Sequence, residues 1–360
     1  MNPIAGMGGS VGLKGTDDGM HRRAAELGAQ PIAPARTAAF LSHIKKLAGI
    51  QFLVAPGAMG KAMASEAGVN FEVVGKVGQE TTGDDTRRIA ARMLDRGAEL
   101  IVFVGGDGTA RNIHDAVDLK CPVIGVPAGV KVYSSVFALN PRAAASMVDS
   151  FIEGVETSEQ EVLDIDEDAF RKDILDARLY GYMRVPVDAR YLQGGKEGSG
   201  QGVSNVENQE EIAEHVVETM EDDILYLLGP GTTVNAIAKE LGIKKTLLGV
   251  DAVLGGHLVA SDLNEAGLLE LVGKFGKSRI IVTPLGGNGF IFGRGNRQFT
   301  SRIIAMVGRE NVQIVATREK MQKLQCLRVD TGDEDVDREL SGYVDVIVGY
   351  KYSKVCRVEC

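Results

Sequence analysis

Apolar runs and helical patterns alternate along residues 50–126. IQFLVA (50–55), FEVVG (71–75), ELIVFV (99–104) and PVIGV (122–126) are short, apolar and β-branched, which is the signature of strands buried on both faces. Between them, GKAMASEAG (60–68), Asp84 to Arg96 and Thr109 to Val117 carry apolar residues at helical spacing. Strands alternating with helices predict a parallel sheet covered by helices, an α/β domain over about residues 1–130.

The pattern then changes. Pro141 to Gly154 reads as a helix linking the two parts of the chain. Residues 158–205 mix strand-like text (ARLYGYMRVPV) with a glycine-rich loop, QGGKEGSGQG, expected to be mobile. From residue 206 βα alternation returns in DDILYLL, a helix from Thr232, TLLGV, SRIIVTP and NVQIVAT; YVDVIVGY and SKVCRVE close the chain as two strands. The second domain, 131–360, is therefore read as mixed β and α/β.

Composition narrows the choice of partner. The net charge is −9, so a general nucleic-acid or anionic-membrane binder is not expected. Small-molecule substrates remain, because an acidic protein still binds phosphate through backbone N–H groups at helix starts. No apolar run approaches the ~20 residues of a membrane span. The four cysteines are scattered, which fits a reducing cytoplasm, and Cys356 and Cys360 read as unlinked thiols.

The strongest chemical signal is ELIVFV-GGDGT-ARNIHDAV. A buried strand runs into Gly105, Gly106, Asp107, Gly108 and Thr109, and a helix opens. Glycines let the backbone approach a phosphate, and the new helix aims its N–H groups and positive dipole end at the anion. Thr109 can cap the helix or hydrogen-bond the phosphate. Asp107 is placed to take a proton from a substrate hydroxyl or to hold Mg²⁺.

A second strand–glycine–helix junction, DDILYLL-GPGTT-VNAIAKELG, predicts anion donors at Gly231, Thr232 and Thr233. Asp251, after TLLGV, either holds a ribose hydroxyl or simply ends a strand. The loop TPLGGNGFIFGRGNRQF, with Gly287, Asn288 and Arg294, is long enough to face a substrate, and arginine can clamp phosphate. Asp164 to Asp168 resembles a metal cluster, but a capped acidic first turn ahead of AFRKDIL accounts for it. His114 reads as packing or surface.

GGDGT after a buried strand is shared by NAD kinases, diacylglycerol and sphingosine kinases and, more distantly, phosphofructokinases. With NPIAGMGGSVGLKGTD at the start, TTGDDTRRIA at 81–90 and VIGVPAGVKVYSSVFALNP at 123–141, the chain resembles the predicted ATP-NAD kinase family, in the branch that includes acetoin-catabolism protein X-like proteins. The resemblance implies a phosphofructokinase-like first domain and an ATP-dependent kinase using Mg²⁺. The acceptor would be the 2′-hydroxyl of NAD. Gly105, Gly106, Gly108 and Thr109 would contact nucleotide phosphates, with Asp107 as base or metal ligand. Asn2, Gly8 and Gly9 would form a second wall. Thr82, Asp85 and Thr86 would face the site from a helix start, unless Asp85 merely complements the helix dipole. Gly129 and the second-domain residues would hold the acceptor. Relatives of this type are commonly homo-oligomers.

Two stretches depart from the family pattern. Pro127 stands where NAD kinases carry Asn in Gly-Val-Asn-x-Gly, and Thr283-Pro284-Leu285-Gly286-Gly287 stands for Thr-Pro-Thr-Gly-Ser. A kinase of the same fold acting on a small polyol, sugar or carbonyl-derived metabolite, and a non-catalytic nucleotide sensor, therefore stay open. One oddity concerns Ala5 to Ser10: such a loop normally follows a buried first strand, and none is written ahead of it. Either the chain opens in an unusual way or the recorded start lies downstream of the real one.

Overall fold

The structure is a computed structural model, and it describes residues 1–13, 20–47, 49–78, 80–129, 132–165, 177–187 and 203–359. The expected glycine-rich loop (193–202), the helix AFRKDIL, Asp166 to Asp168, Val130 and Cys360 lie outside these residues. The chain packs as two compact units: Met1–Gly8 with Lys14–Gly195, and Gly9–Leu13 with Lys196–Cys360.

In the first unit the apolar runs form the expected parallel pairs. β1 (Phe52–Val54) lies beside β2 (Phe71–Val73), and β3 (Ile101–Gly105) beside β4 (Val123–Pro127). Helices α1 (Met20–Glu26), α2 (Ala33–His43), α3 (Lys61–Glu66), α4 (Gly83–Asp95) and α5 (Asp107–Val117) fall between or ahead of the strands. α1 and α2 carry weaker periodicity and are not evident from the sequence. Residues beyond 130 stay with this unit, because α6 (Pro141–Ile152) packs on α2 and β4, and the antiparallel hairpin β5 (Thr157–Ile165)–β6 (Ala177–Pro186) packs on α5 and β4. Asp164 is therefore a strand residue, not part of a capped turn, and its carboxylate pairs with Arg111 of α5.

Packing is tight where strand meets loop. Phe103 and Phe137 meet edge-on with ring centroids 5.3 Å apart. Gly125 lies under them: a Cβ there would stand 2.5 Å from Phe137 Cδ1. His114 packs in the same spirit, against Gly181 and edge-on to Tyr180.

The second unit is built on one nine-stranded sheet. Its middle strands, β7 (Leu225–Leu228), β10 (Ser278–Val282), β12 (Val312–Val315) and β14 (Gly342–Gly349), run parallel. β15 (Tyr352–Glu359) returns antiparallel to β14, and β11 (Phe290–Phe292) and β13 (Leu327–Val329) extend that edge. At the other edge β8 (Asp251–Leu254) and β9 (His257–Ala260) form an antiparallel ribbon on β7. TLLGV is thus not a strand; β8 starts one residue later, at Asp251. The helices are α7 (Val203–Glu218), α8 (Thr232–Glu240), α9 (Glu265–Phe275), α10 (Ser301–Val307), α11 (Arg318–Lys323) and α12 (Glu334–Leu340). No helix among the described residues is long and apolar enough to cross a membrane.

Candidate functional site

The GGDGT junction is built where β3 of the first unit runs into α5. β3 delivers Gly105 into an extended Gly106, the residue before α5, and the helix begins at Asp107, two residues ahead of the sequence expectation. Thr109 is buried, and a Cβ on Gly105 would fall 2.3 Å from its Oγ1, so glycine is required there for the hydroxyl to sit where it does. Thr109 N–H and Ala110 N–H both donate to Gly106 C=O, which starts the helix.

Asp107 does not hang free at this helix start. Its Oδ1 accepts from Tyr133 N–H (3.1 Å), Ser134 N–H (2.8 Å) and the Ser134 hydroxyl (2.6 Å), and its Oδ2 accepts from Tyr133 N–H at 2.9 Å. Ser134 Oγ in turn accepts from Leu163 N–H of β5 at 2.9 Å. The carboxylate is therefore aimed by a backbone cradle fixed from the hairpin side. Burial, and then the Asp107 charge beside it, push the Tyr133 phenol well above its ordinary range. Tyr133 and Ser134 lie in the text SVFALNP is drawn from, yet the sequence assigns them no role. The cue was a hydroxyl pair following β4, visible only once the two loops are brought together.

Two other segments reach the junction. Gly129 N–H and Ala128 N–H both donate to Gly105 C=O, at 3.1 and 2.8 Å. Asn2 donates from its backbone to Val104 C=O (2.9 Å) and from Nδ2 to Thr109 Oγ1 (3.5 Å). Gly8 is buried in the same turn, whereas Gly9 belongs to the second unit, its Cβ position 3.0 Å from Arg297 Cβ.

The carboxylate of Asp85 is turned to a different task. Thr82 and Asp85 form a reciprocal capping box at the start of α4: Asp85 N–H donates to Thr82 Oγ1, and Thr82 N–H donates to Asp85 Oδ2 at 3.0 Å. Arg88 completes an ion pair with it. The backbone bond from Thr82, followed by these side-chain donors, holds the Asp85 carboxyl below the usual range. A depressed folded-state pKa stabilises the fold above the unfolded pKa, and that contribution is lost as pH falls through the folded value. Asp85→Asn is accordingly expected to cost about 1 kcal/mol at neutral pH, with the two proteins converging in strong acid. Thermal melts over that pH range check this; a constant gap would refute it.

In the second unit, Gly231 (φ +119°) leads into α8. Thr232 Oγ1 accepts from Gln209 Nε2 at 3.2 Å, and Thr233 is buried. The first helical bond runs from Asn235 N–H to Gly231 C=O, so the N–H groups of Thr232, Thr233 and Val234 precede the ladder. The neighbouring strand β10 ends at Val282, and the next residue, Thr283, packs on Gly231 and is 3% exposed, its hydroxyl without a hydrogen-bond partner among the described residues. Open α/β sheets bind ligands at such C-terminal strand ends.

Asp251 belongs elsewhere. It opens an antiparallel strand instead of ending a parallel one, so the ribose geometry does not apply. Its carboxylate is fully buried, accepting from Thr246 N–H, the Thr246 hydroxyl and Asp262 N–H, 3.5 Å from the equally buried Lys245 ammonium. The long loop after β10 also has more structure than the sequence suggests, because β11 lies inside it. Asn288 is buried, and its backbone carbonyl accepts from the Arg328 side chain; Arg294 stacks over Phe290 at 4.5 Å, while Gly287 is exposed.

Among the described residues no group of three His, Cys, Asp or Glu forms a metal cage. One carboxylate with glycines and hydroxyls suits only a Mg²⁺ ion carried in on nucleotide phosphates, which with water would fill most of its octahedron. Cys121, Cys326 and Cys356 are buried free thiols; burial pushes Cys121 up to about 11, so it is inert.

Residues 29–155 match the ATP-NAD kinase N-terminal domain, and residues 221–358 match the ATP-NAD kinase C-terminal domain. A chain carrying both is a kinase that phosphorylates a hydroxyl group. It belongs to the ATP-NAD kinase family. No curated protein and no solved structure matched it.

Proposed function

We propose that this protein transfers the γ-phosphoryl group of ATP to the 2′-hydroxyl of NAD, giving NADP and ADP. The observation that carries the reading is the Asp107 carboxylate, held by Tyr133 and Ser134 at the helix start within the Gly105–Thr109 junction. Asp107 takes the proton of the acceptor hydroxyl as its oxygen attacks the γ-phosphorus and the bond to ADP breaks. Phosphoryl transfer asks the protein mainly for position and charge balance. The N–H groups of α5, with its positive dipole end, hold the phosphates. Asp107 would help hold a Mg²⁺ ion carried on the nucleotide phosphates, and that ion would supply neutralisation of the phosphate charge. Thr109, steadied by Asn2, orients the phosphate from the first turn of α5.

The start, the 81–90 stretch and the 123–141 stretch support a place in the acetoin-catabolism protein X-like branch. The acceptor could differ within the family. Pro127 at the end of β4, a departure from the family pattern, favours as a second reading a small polyol, sugar or carbonyl-derived metabolite as acceptor in place of NAD.

Purified protein with ATP, Mg²⁺ and NAD, read out by an NADP-specific dehydrogenase, tests the first reading. NADP formation that vanishes in Asp107→Asn supports it; ATP binding without NADP hands the case to the second.

A further inference from the structure

The large sheet of the second unit sends neighbouring strands to opposite faces. Tyr226 and Leu228 of β7 share a core with Val234 and Ile237 of α8, the helix that follows β7. Leu225 and Leu227, on the other face of the same strand, share a core with Ile303 and Ile304 of α10. α10 is the helix that follows β10, the parallel neighbour of β7. The chain leaving β7 therefore turns to one face and the chain leaving β10 to the other. Sheets of this kind part at such a switch point and leave a crevice beyond the carboxyl ends of the two strands.

The α8 side of that point carries open donors. The N–H groups of Thr232, Thr233 and Val234 reach no acceptor among the described residues. Thr283, the residue after β10, brings its side chain against Gly231: a Cβ on that glycine would stand 2.5 Å from Thr283 Cγ2. The hydroxyl shares a carbon with this methyl, so it too lies at the start of α8. It is sealed from solvent and has no hydrogen-bond partner among the described residues. Buried hydroxyls are nearly always bonded, so an open one beside unpaired N–H groups marks the place of a missing acceptor.

Lys320 adds a positive charge from the other flank of β10. It stands in the first turn of α11, which follows β12, and β12 pairs with β10. Leu324, one turn later on the same face, comes within 3.5 Å of the Cβ position of Gly289, so that face lies on the loop that Thr283 opens. Helical side chains lean towards the helix start, which here is the end of β12. No acid or carbonyl partners the Lys320 ammonium among the described residues, and burial alone lowers its pKa. A half-buried ammonium without a counter-ion is costly, and an anion removes that cost.

The charges select the ligand. A helix start is worth roughly +0.5 of an elementary charge, and the ammonium adds one more. A phosphate group carries about −1.5 to −2 at neutral pH, which matches that sum better than a single carboxylate does. We propose that the second unit binds a phosphate dianion, free or as a monoester, in the crevice beyond β7 and β10. The Thr232, Thr233 and Val234 N–H groups and the Thr283 hydroxyl donate to its oxygens, and Lys320 balances its charge. The site lies wholly within the second unit and stands whatever reaction the first unit performs.

The full chain is titrated with inorganic phosphate and, separately, with ribose 5-phosphate, while the backbone amide resonances of Thr232, Thr233 and Val234 are followed. Reading these amides keeps the result apart from any phosphate held at the GGDGT junction. Saturable shifts are expected with at least one probe, and none with either overturns the proposal. Tighter binding of ribose 5-phosphate names a monoester as the ligand; equal or weaker binding names the free ion. Thr283→Val and Lys320→Met are each expected to weaken binding about tenfold, the worth of one hydrogen bond to a charged group. Thr283→Val removes a hydroxyl that has no partner, so without phosphate it should melt no lower than the wild type. Wild-type affinity in either variant, or a lower melting temperature for phosphate-free Thr283→Val, overturns the proposal.

Discussion

Asp107→Asn is expected to lower turnover by roughly 10²–10⁴-fold while leaving ATP affinity within a few-fold of the wild type, the range lost when a general base is removed. An amide accepts hydrogen bonds at one atom only. The Tyr133 and Ser134 donors that now grip two carboxylate oxygens would meet an NH₂ group at one of them. The substitution therefore removes the proton acceptor and slackens its cradle together. Ser134→Ala separates these effects, because it deletes the 2.6 Å hydroxyl bond and keeps the carboxylate with its two backbone donors. Its expected cost is about tenfold in kcat, with KM for ATP unchanged. Steady-state kinetics with NAD and ATP read both. If Asp107→Asn retains more than a tenth of wild-type kcat, Asp107 is a structural residue and not the base.

Gly6→Ala is expected to destabilise the first unit by about 2–5 kcal/mol, from left-handed strain and overpacking combined. Gly6 sits at φ +80°, and a Cβ there would lie 2.0 Å from the Ala128 carbonyl oxygen and 2.4 Å from Ile32 Cδ1. The isoleucine can swing away, but the backbone carbonyl cannot, because Ala128 N–H is tied to Gly105 C=O. The damage reaches the phosphate junction directly, so nucleotide KM should rise with the loss of stability. Gly28→Ala is the control: Gly28 has φ +84° with nothing within 4 Å of its Cβ position. It should cost about 1 kcal/mol, the strain alone. Chemical denaturation of both variants decides the matter; equal losses would mean that the close approach to Ala128 is not what requires glycine at position 6.

Much of the first unit was legible in the sequence because its strands are buried on both faces and so read as unbroken apolar runs, as in ELIVFV and PVIGV. The GGDGT junction was legible because glycines, a helix start and an acid must occur together in a few residues for backbone N–H groups to meet a phosphate. The β8–β9 ribbon was harder. TLLGV has strand composition, but Asp251 needs buried partners, and Thr246, Asp262 and Lys245 supply them only when the chain folds back on itself. The long loop after β10 misled for a similar reason, since its Phe290–Phe292 strand is short and gains its partner from β13, far along the chain.

The sequence by itself determined the class of this protein, an α/β kinase with a glycine-built phosphate junction, because local patterns of burial and turn chemistry are written in consecutive residues. Only the tertiary structure decided which acids serve which task. Asp107, Asp85 and Asp251 look alike as letters near helix or strand ends, yet one is aimed by Tyr133 and Ser134, one closes a capping box, and one is sealed against Lys245. What a carboxylate does depends on the donors around it, and those come from segments distant in sequence, which no local pattern records.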